Sequence, residues 1–420
     1  MLKSMGNSLS SPELRKKLLF TAFILALFRL GSYVPVPGVD LDALQEAIDN
    51  RGSRLLDFLN LFAGGALTRF AVFALGIMPY ITASIIIQLM TVVIPRLEEL
   101  QKEGEAGQQK ITQYTRYFTV VLAAVQSVAY VLYFRSQDAL PDFTWGRLYL
   151  IVISLTAGTT LVMWFGELIT QRGVGNGISL LIFASIVAAV PSAITGWAEL
   201  PPLTQVIVLV MAVAVVLGVV FINEGQRRIP VQYAKRVVGR RMTSGGQTYM
   251  PIRVNMAGVI PVIFAASVVI LPATFAEFGG RGSFFENVSN WLAPGSWYYI
   301  IFEAILIVLF TYFYTAVIFN PVEQADNLKK YGGFIPGVRP GRPTAVYLDR
   351  VITRLTLPGA IYLAIIAAFP SIVFRYLPES NVFFGVLGGT SILIVVGVAL
   401  DTIRQMEAQL MMRSYEGFLR

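Results

Sequence analysis

The sequence predicts an all-α polytopic membrane protein of ten transmembrane helices, five on each side of a central break. Three observations predict it. The 420 residues are 55% hydrophobic and only 14% charged, with a mean hydropathy of +0.65, far from the mixture that keeps a globular protein in water. Charge-poor apolar stretches recur along the chain at lengths near the roughly 20 residues that a helix needs to cross a bilayer. Lys and Arg, finally, are strongly segregated among the segments that join those stretches.

The stretches fall at 18–34, 71–94, 117–134, 148–166, 176–192, 203–222, 255–275, 302–319, 355–374 and 381–400. An even number of crossings puts both termini on one side. The segments on that side hold 25 of the 33 Lys and Arg residues, so the positive-inside rule places both termini in the cytoplasm of a multi-pass cell-membrane protein. The formal charge of +8 and the pI near 9.6 therefore report orientation before they report nucleic acid. The basic run ahead of the first stretch resembles the start of a signal peptide, but no small-residue cleavage site follows it, and a retained first helix is expected.

Between stretches one and two, DFLNLFAGG (57–65) is about two helical turns, too short to cross, and is stopped by Gly64 and Gly65. It is either an interfacial helix on the outer surface or a short helix folded into the bundle, where broken helices are tolerated only if protein or water surrounds them. The second stretch, FALGIMPYITASIIIQLMTVVIP (73–95), has no charge over 23 residues, yet contains Pro79 and a broken polar stripe. Ile77 and Ile81, four apart, share a helical face, with Pro79 expected to remove a backbone hydrogen bond between them. Ser84 and Gln88 share another. One side could present branched apolar side chains to a pore while the other makes weak polar contacts; routine helix packing is the competing reading.

The segment 95–116 is of mixed charge and reads as a solvated helical connector. ITQRGVGNGISLLIF (169–183) places three glycines and Asn176 just before stretch five; it lacks the Gly-Lys-Ser/Thr of a phosphate loop and reads as a tight re-entry turn. PSAITGWAELPPLT (191–204), rich in turn formers, is the expected break, dividing 1–192 from 203–420 with an external hinge loop at 193–202. Halves of five spans would have opposite topologies if homologous. Loop 223–254 carries seven basic residues against one acidic and reads as an extended or partly helical basic arm with a turn at the glycine pair 245–246. Loop 320–354 contains YGGFIPGVRPGRP, whose prolines and glycines specify a shape that displays Arg339 and Arg342. The basic loops either set orientation alone or dock a large cytoplasmic partner.

Without cysteine or histidine, disulfides, thiolate or imidazole metal sites and histidine catalysis are excluded, and no cofactor is expected. Glu167 and Glu303 stand near span ends, leaving the mid-membrane without an obvious ionised group, which weighs against an ion-coupled carrier. No carbonyl-rich filter motif or charged ring suggests a selective ion channel. A passive conduit closed by apolar residues fits better.

FRLGSYVPVPGVD (28–40), LFAGGALTRFAVFALGIMPYITASIIIQL (61–89), ITQRGVGNGISL (169–180), GQRRIPVQYAKRVVGRR (225–241), VNMAGVIPVIFA (254–265), NPVEQADNLKKYGGFIPGVRPG (320–341) and GGTSILIVVGVALD (388–401) resemble, in order, the SecY family of bacterial preprotein translocase channel subunits. The resemblance covers essentially the whole chain. It implies two pseudo-symmetric, inverted five-helix halves around an hourglass, and a protein-conducting channel rather than an enzyme. It implies a pore ring at Ile77, Ile81, Ile182, Ile263 and Ile394, and a plug beginning near Leu56 that includes Phe58, Leu59, Leu61, Phe62, Gly64 and Gly65. It implies a lateral gate where spans two and three face seven and eight, with Ser84, Gln88, Gln126 and Asn255 as its polar seam. Docking is implied at Lys235, Arg240, Arg241 and Arg339, while Arg342 stands where the family motif can be acidic. The implied partners are SecE and SecG as companion subunits, the SecA ATPase, the ribosome, SecDF and YidC, with secretory preproteins and nascent membrane proteins as cargo. A secondary transporter or an insertase without a full aqueous path are the alternative classes; counter-ion-dependent uptake of a small solute would mark the first, and failure to pass a hydrophilic chain the second.

Overall fold

The computed structural model describes residues 12–37, 39, 60–136, 144–233, 236–238, 241–243, 247–278, 287, 291–292, 296–376 and 388–418. The apolar stretches become helices in order. α1 (Pro12–Gly31) is followed, among the described residues, by the largely turn-forming 32–37 and 60–77 and then by α2 (Met78–Val93), α3 (Pro95–Lys102), α4 (Glu105–Ser136), α5 (Trp145–Arg172), α6 (Gly177–Ala188), α7 (Val190–Glu199) and α8 (Pro202–Glu224). Strands β1 (Gln226–Tyr233), β2 (Arg236–Val238), β3 (Arg241–Thr243) and β4 (Gln247–Arg253) precede α9 (Ile260–Phe278). α10 (Trp297–Ile318), α11 (Pro321–Lys330), β5 (Gly333–Phe334), α12 (Arg342–Tyr376) and α13 (Gly389–Phe418) follow.

Among the described residues, seven helical segments are long and apolar enough to cross a membrane, or eight if the bent pair α2–α3 is one span. The difference from ten has local causes, and α9 counts only as a shorter apolar helix, Ile260–Val269. α1 carries Arg15, Lys16, Lys17 and Arg29 within its 20 residues. α2 is only 16 residues long, because residues 71–77 form turns where the sequence suggested helix. α3 turns away by 98° at Ile94, since Pro95 disfavours helical backbone in the residue before it. As expected for 95–116, the connector is helical and solvated, with Lys102 bonded to Glu98 at 2.6 Å and Lys110 paired with Glu103 at 3.7 Å.

The helices bury one large apolar core that takes residues from nearly every span. α10 packs on α12 and α9, α4 on α2 and α5, α8 on α13. Their outer surfaces stay apolar: Leu203, Val206, Val210, Leu217 and Phe221 of α8 are all exposed, which hydrocarbon tolerates and water would not. α4 and α5 are also joined by a forked ion pair, Arg116 to Glu167, at 2.8 Å from Nε and 2.6 Å from the terminal nitrogen.

One expectation about the connections is corrected, and two loops prove to be joined. The hinge loop at 193–202 is mostly helix, since α7 runs to Glu199 and leaves Leu200 and Pro201 as the link to α8. Its turn formers Pro191 and Pro202 sit in the first turns of α7 and α8, where proline's missing N–H costs nothing. The loops 223–254 and 320–354, expected as basic projections on one face, share one sheet of order β4-β1-β5. β1 and β4 pair antiparallel from Gln226↔Arg253 to Gln232↔Gln247, and β5 adds to the other edge of β1 at Gln232↔Phe334. Ile229 and Ile252 on one face of this sheet pack with Ile335 and with Leu348, Val351 and Ile352 of α12. β2 and β3 form a second, two-stranded ribbon between β1 and β4.

Removing one partner of the Arg116–Glu167 fork leaves a carboxylate in a mostly apolar wall. Arg116→Met is expected to cost about 1–3 kcal/mol, read as a lower unfolding temperature in detergent. Adding Glu167→Gln to it should recover part of that loss, and a double variant no better than the single would refute the pair's contribution.

Candidate functional site

The turn-rich segment 60–77, ahead of α2, decides where the candidate site lies. Asn60–Phe62 are helical, and the chain then runs through tight turns to α2. Gly64 and Gly65 have φ of +66° and +83°, the left-handed conformation that glycine adopts without steric cost. Leu61 and Phe62 are buried, Phe62 to 1% exposure, in the same cluster as the helices' inner faces. This segment is therefore folded into the bundle and does not lie on an outer surface. Phe58 and Leu59 lie outside the described residues. Val36 and Val72 tie the segment's far end to the chain after α1, through Val36 N–H to Phe70 O and Val72 N–H to Val34 O, each 2.9 Å.

The five isoleucines of the expected ring come from four helices. Ile77 caps α2, and the Ile81 N–H donates to its carbonyl at 3.1 Å, so the two stack one turn apart. Pro79 lies in the first turn, where its missing N–H would have had no helical partner; the expected loss of a hydrogen bond does not occur. Ile182 is on α6, Ile263 on α9 and Ile394 on α13. All five are between 0% and 4% exposed and belong to one apolar cluster with Leu61 and Phe62. α13 touches both α6 and α9, and α9 touches α2, so the four carrier helices are linked in a row.

Beside them is a cavity of about 220 Å³, lined by Ile81 and Ile263 and by polar groups that include Ser84, Gln88, Gln108, Asn176 and Ser179. Two of the four expected gate residues thus meet two of the five ring residues. The Gln88 Oε1 is buried and has no hydrogen-bond partner. α9 packs against both α2 and α4 along this side. Gln126, on α4, is half-buried and does not line the cavity. Asn255 is engaged elsewhere: its Nδ2 donates to Asn223 Oδ1 at 2.9 Å and to Gly258 O at 3.0 Å.

Sequence reasoning did not foresee that polar cluster. Arg404 of α13 donates to the Asn223 carbonyl and pairs with Glu224 at 2.8 Å, so the end of α8, the entry to α9 and α13 meet at the root of the β1–β4 hairpin. The partners are separated by up to 181 residues, and no local pattern announces them. Asn176 carried a readable signal: it is the N-cap of α6, accepting from Ile178 N–H at 3.1 Å and Ser179 N–H at 3.4 Å. Gly177 beside it is required by packing, because a Cβ there would stand 1.9 Å from the Gly166 carbonyl of α5.

Of the docking residues, Arg339 is exposed in the turn between β5 and α12, as is Arg342 at the start of α12. Arg241 begins β3, and Lys235 and Arg240 lie outside the described residues. Glu303 accepts from the Tyr299 hydroxyl at 3.2 Å, sealed inside α10 and away from the cavity. No cluster of potential metal ligands occurs among the described residues.

Long apolar helices packed around one buried apolar cluster, with a short broken segment folded into it, define a polytopic membrane protein of the protein-conducting-channel fold. Two solved structures share that fold across 94% of this chain and 92% of theirs: a protein conducting channel, with a TM-score of 0.66 and 17% identity, and Sec61 in the canine ribosome-channel complex from the endoplasmic reticulum, with a TM-score of 0.63 and 17% identity. The SecY family model matches residues 71–403. The protein translocase subunits SecY of Streptomyces galbus and Mycobacterium tuberculosis (strain ATCC 25618 / H37Rv) are 50% and 48% identical, with 100% of each chain covered. The chain belongs to the SecY family.

Gly177→Ala should separate α5 from α6 and cost about 1–3 kcal/mol. Gly146→Ala is the control, since a Cβ there meets nothing within 4 Å. Equal unfolding temperatures for the two variants would refute the close approach.

Proposed function

We propose that unfolded polypeptide crosses the membrane through the isoleucine cluster, and that the 56–65 segment is the plug that closes it at rest. As a SecY-family subunit the chain is the protein-conducting channel of the Sec translocase, a multi-pass membrane protein that makes and breaks no covalent bond. The observation that carries the gating reading is the packing of Leu61 and Phe62 into one apolar cluster with Ile77, Ile81, Ile182, Ile263 and Ile394. Branched apolar side chains can close around a sliding chain of any sequence without offering it strong hydrogen bonds, and a dewetted neck resists ions.

Opening requires Leu61 and Phe62 to leave that cluster. Lateral release of transmembrane segments would proceed between α2 and α4 on one side and α9 and α10 on the other. The weak polar contacts at Ser84 and Gln88 would hold this seam until a sufficiently apolar segment replaces them, so that partition into lipid becomes part of recognition. Gln126 and Asn255 are assigned to the same seam on resemblance alone.

The ten-span topology with cytoplasmic termini, in inverted halves 1–192 and 203–420, rests on the Lys and Arg distribution and on resemblance. On it, the β4-β1-β5 sheet lies in the cytoplasm and joins both docking loops, with Lys235, Arg240, Arg241 and Arg339 offered to SecA or to the ribosome. Energy would come from those partners. SecE and SecG complete the channel in this reading, and SecDF and YidC are further partners.

Two experiments test this. Cysteines introduced as Phe62→Cys and Ile81→Cys in this cysteine-free chain, reconstituted with SecE and SecG, are expected to crosslink at rest and block SecA-driven transport until reduced. Robust transport through a fully closed crosslink would sink the plug mechanism. Arg339→Glu is expected to lower SecA-driven transport about tenfold or more, as loss of a charged contact at a docking surface does, while leaving the resting ion seal intact; undiminished transport would remove Arg339 from the docking surface.

A further inference from the structure

The turn that ends the plug is gripped from outside by a cation. Arg29, in the last turn of α1, donates from one terminal nitrogen to the Gly64 carbonyl and from the other to the Tyr33 hydroxyl at 2.9 Å. The Tyr33 ring also holds two guanidinium groups, with Arg29 at 4.8 Å and Arg69 at 4.1 Å from its centroid. Arg29 and Tyr33 precede the plug in sequence and Arg69 follows it, so the cluster closes around the segment it grips.

Among the described residues, the hydrogen bonds that shape this turn are internal. Gly65 N–H donates to Asn60 O at 2.9 Å, Thr68 N–H to Asn60 Oδ1 at 3.2 Å, and Thr68 Oγ1 to Gly65 O at 3.1 Å. These bonds can travel with the segment when it moves. The backbone pairing of Val34 and Val36 with residues 70–72 lies beyond the turn and can remain in place. Phe70, at the same level, is a non-glycine residue with φ of +42°, held by burial and by an edge contact to Phe134 at 5.1 Å. Among the described residues, the geometry is that of a fixed pivot at 70–72 and a releasable side-chain bond at Gly64. Tyr33 is half exposed, which lets water compete for the guanidinium once the bond begins to open.

We propose that Arg29 is the latch that positions the plug, steered by the Tyr33 ring that it shares with Arg69, and that opening breaks its bond to the Gly64 carbonyl while residues 70–72 stay pinned. The inference rests on the plug reading above and adds to it the residues that set how readily the plug leaves. Two like charges gathered on one phenol ring are poor material for a turn that only had to be stable, since Asn60 and the glycines already shape it. They suit a contact that must hold at rest and yield to an incoming chain.

The test is resting anion flux per channel in liposomes, measured on the chain reconstituted with SecE and SecG. Losing one charge-assisted hydrogen bond shifts a two-state population about tenfold or more, so Arg29→Met is expected to raise flux by about that factor, toward a reference variant lacking residues 60–67. Arg29→Lys keeps the charge and should restore most of the seal, whereas Tyr33→Leu should leak to an intermediate degree. A merely structural defect would lower the amount of assembled complex without raising flux per complex. If the reference variant leaks and Arg29→Met does not, the latch is wrong and the plug stands; if neither leaks, the plug reading falls and the latch with it. Should Arg29→Met fail to assemble, Tyr33→Leu decides, and a seal equal to that of the unaltered channel overturns the proposal.

Discussion

Backbone hydrogen bonding in a medium without water is the constraint on which the structure depends. A segment facing lipid has to satisfy its own N–H and C=O groups, and regular helix is the only single-segment solution. Residues 63–77 do not adopt it. They survive because other protein encloses them: Ala66, Leu67, Phe70 and Phe73 are buried, Ala71, Ala74 and Gly76 each donate to a carbonyl within the same segment, and Gly65 donates to the carbonyl of Asn60 just before it. Enclosing that segment requires helices on all sides of it. The packing of α2, α6, α9 and α13 around a common apolar cluster follows from the need to cover a broken stretch as much as from the need to form a pore.

The same segment explains the shortness of α2. Turns as far as Ile77 delay the start of the helix, which puts Ile77 at its cap and Ile81 one turn along. Proline at the second helical position then fixes the entry without breaking anything. A sequence feature that looked like a flaw in a membrane helix is the ordinary start of a shorter one. Ser84 and Gln88, further along, face a polar-lined cavity, where the Gln88 oxygen is buried without a partner. At the proposed lateral gate, incomplete hydrogen bonding of this kind would make opening cost less than at a fully bonded seam.

Outside the bundle, the two basic loops are not independent arms. Their strands share β1 as the central strand, and their apolar faces share one small core on α12. The hairpin is rooted where Arg404, Glu224, Asn223 and Asn255 meet, and the helices leaving that junction are α9 and α13, which carry Ile263 and Ile394. A load on the sheet would thus be applied at the base of two helices that carry proposed ring residues. This juxtaposition is a physical basis for coupling a docking event to the neck.

What the sequence determined by itself was whatever depends on neighbours along the chain. Apolar length fixed where helices occur, the glycine pair at 64–65 marked the end of a short helix, and Asn176 before an apolar run was a cap waiting to be read. Family motifs then located the candidate ring and plug, whose isoleucines and Phe62 do share one cluster. Tertiary structure alone decided the rest. Residues 71–77 are as apolar as a helix, and only their enclosure allows them to turn; the expected hinge is helical because its prolines fall in first turns. Two distant loops become one sheet, Asn255 bonds within its own half, and Arg29 reaches a carbonyl 35 residues away. Hydropathy and spacing record what each residue prefers as solvent and which face of its own element it occupies. They do not record which distant group will stand opposite, and that is settled only when the helices pack.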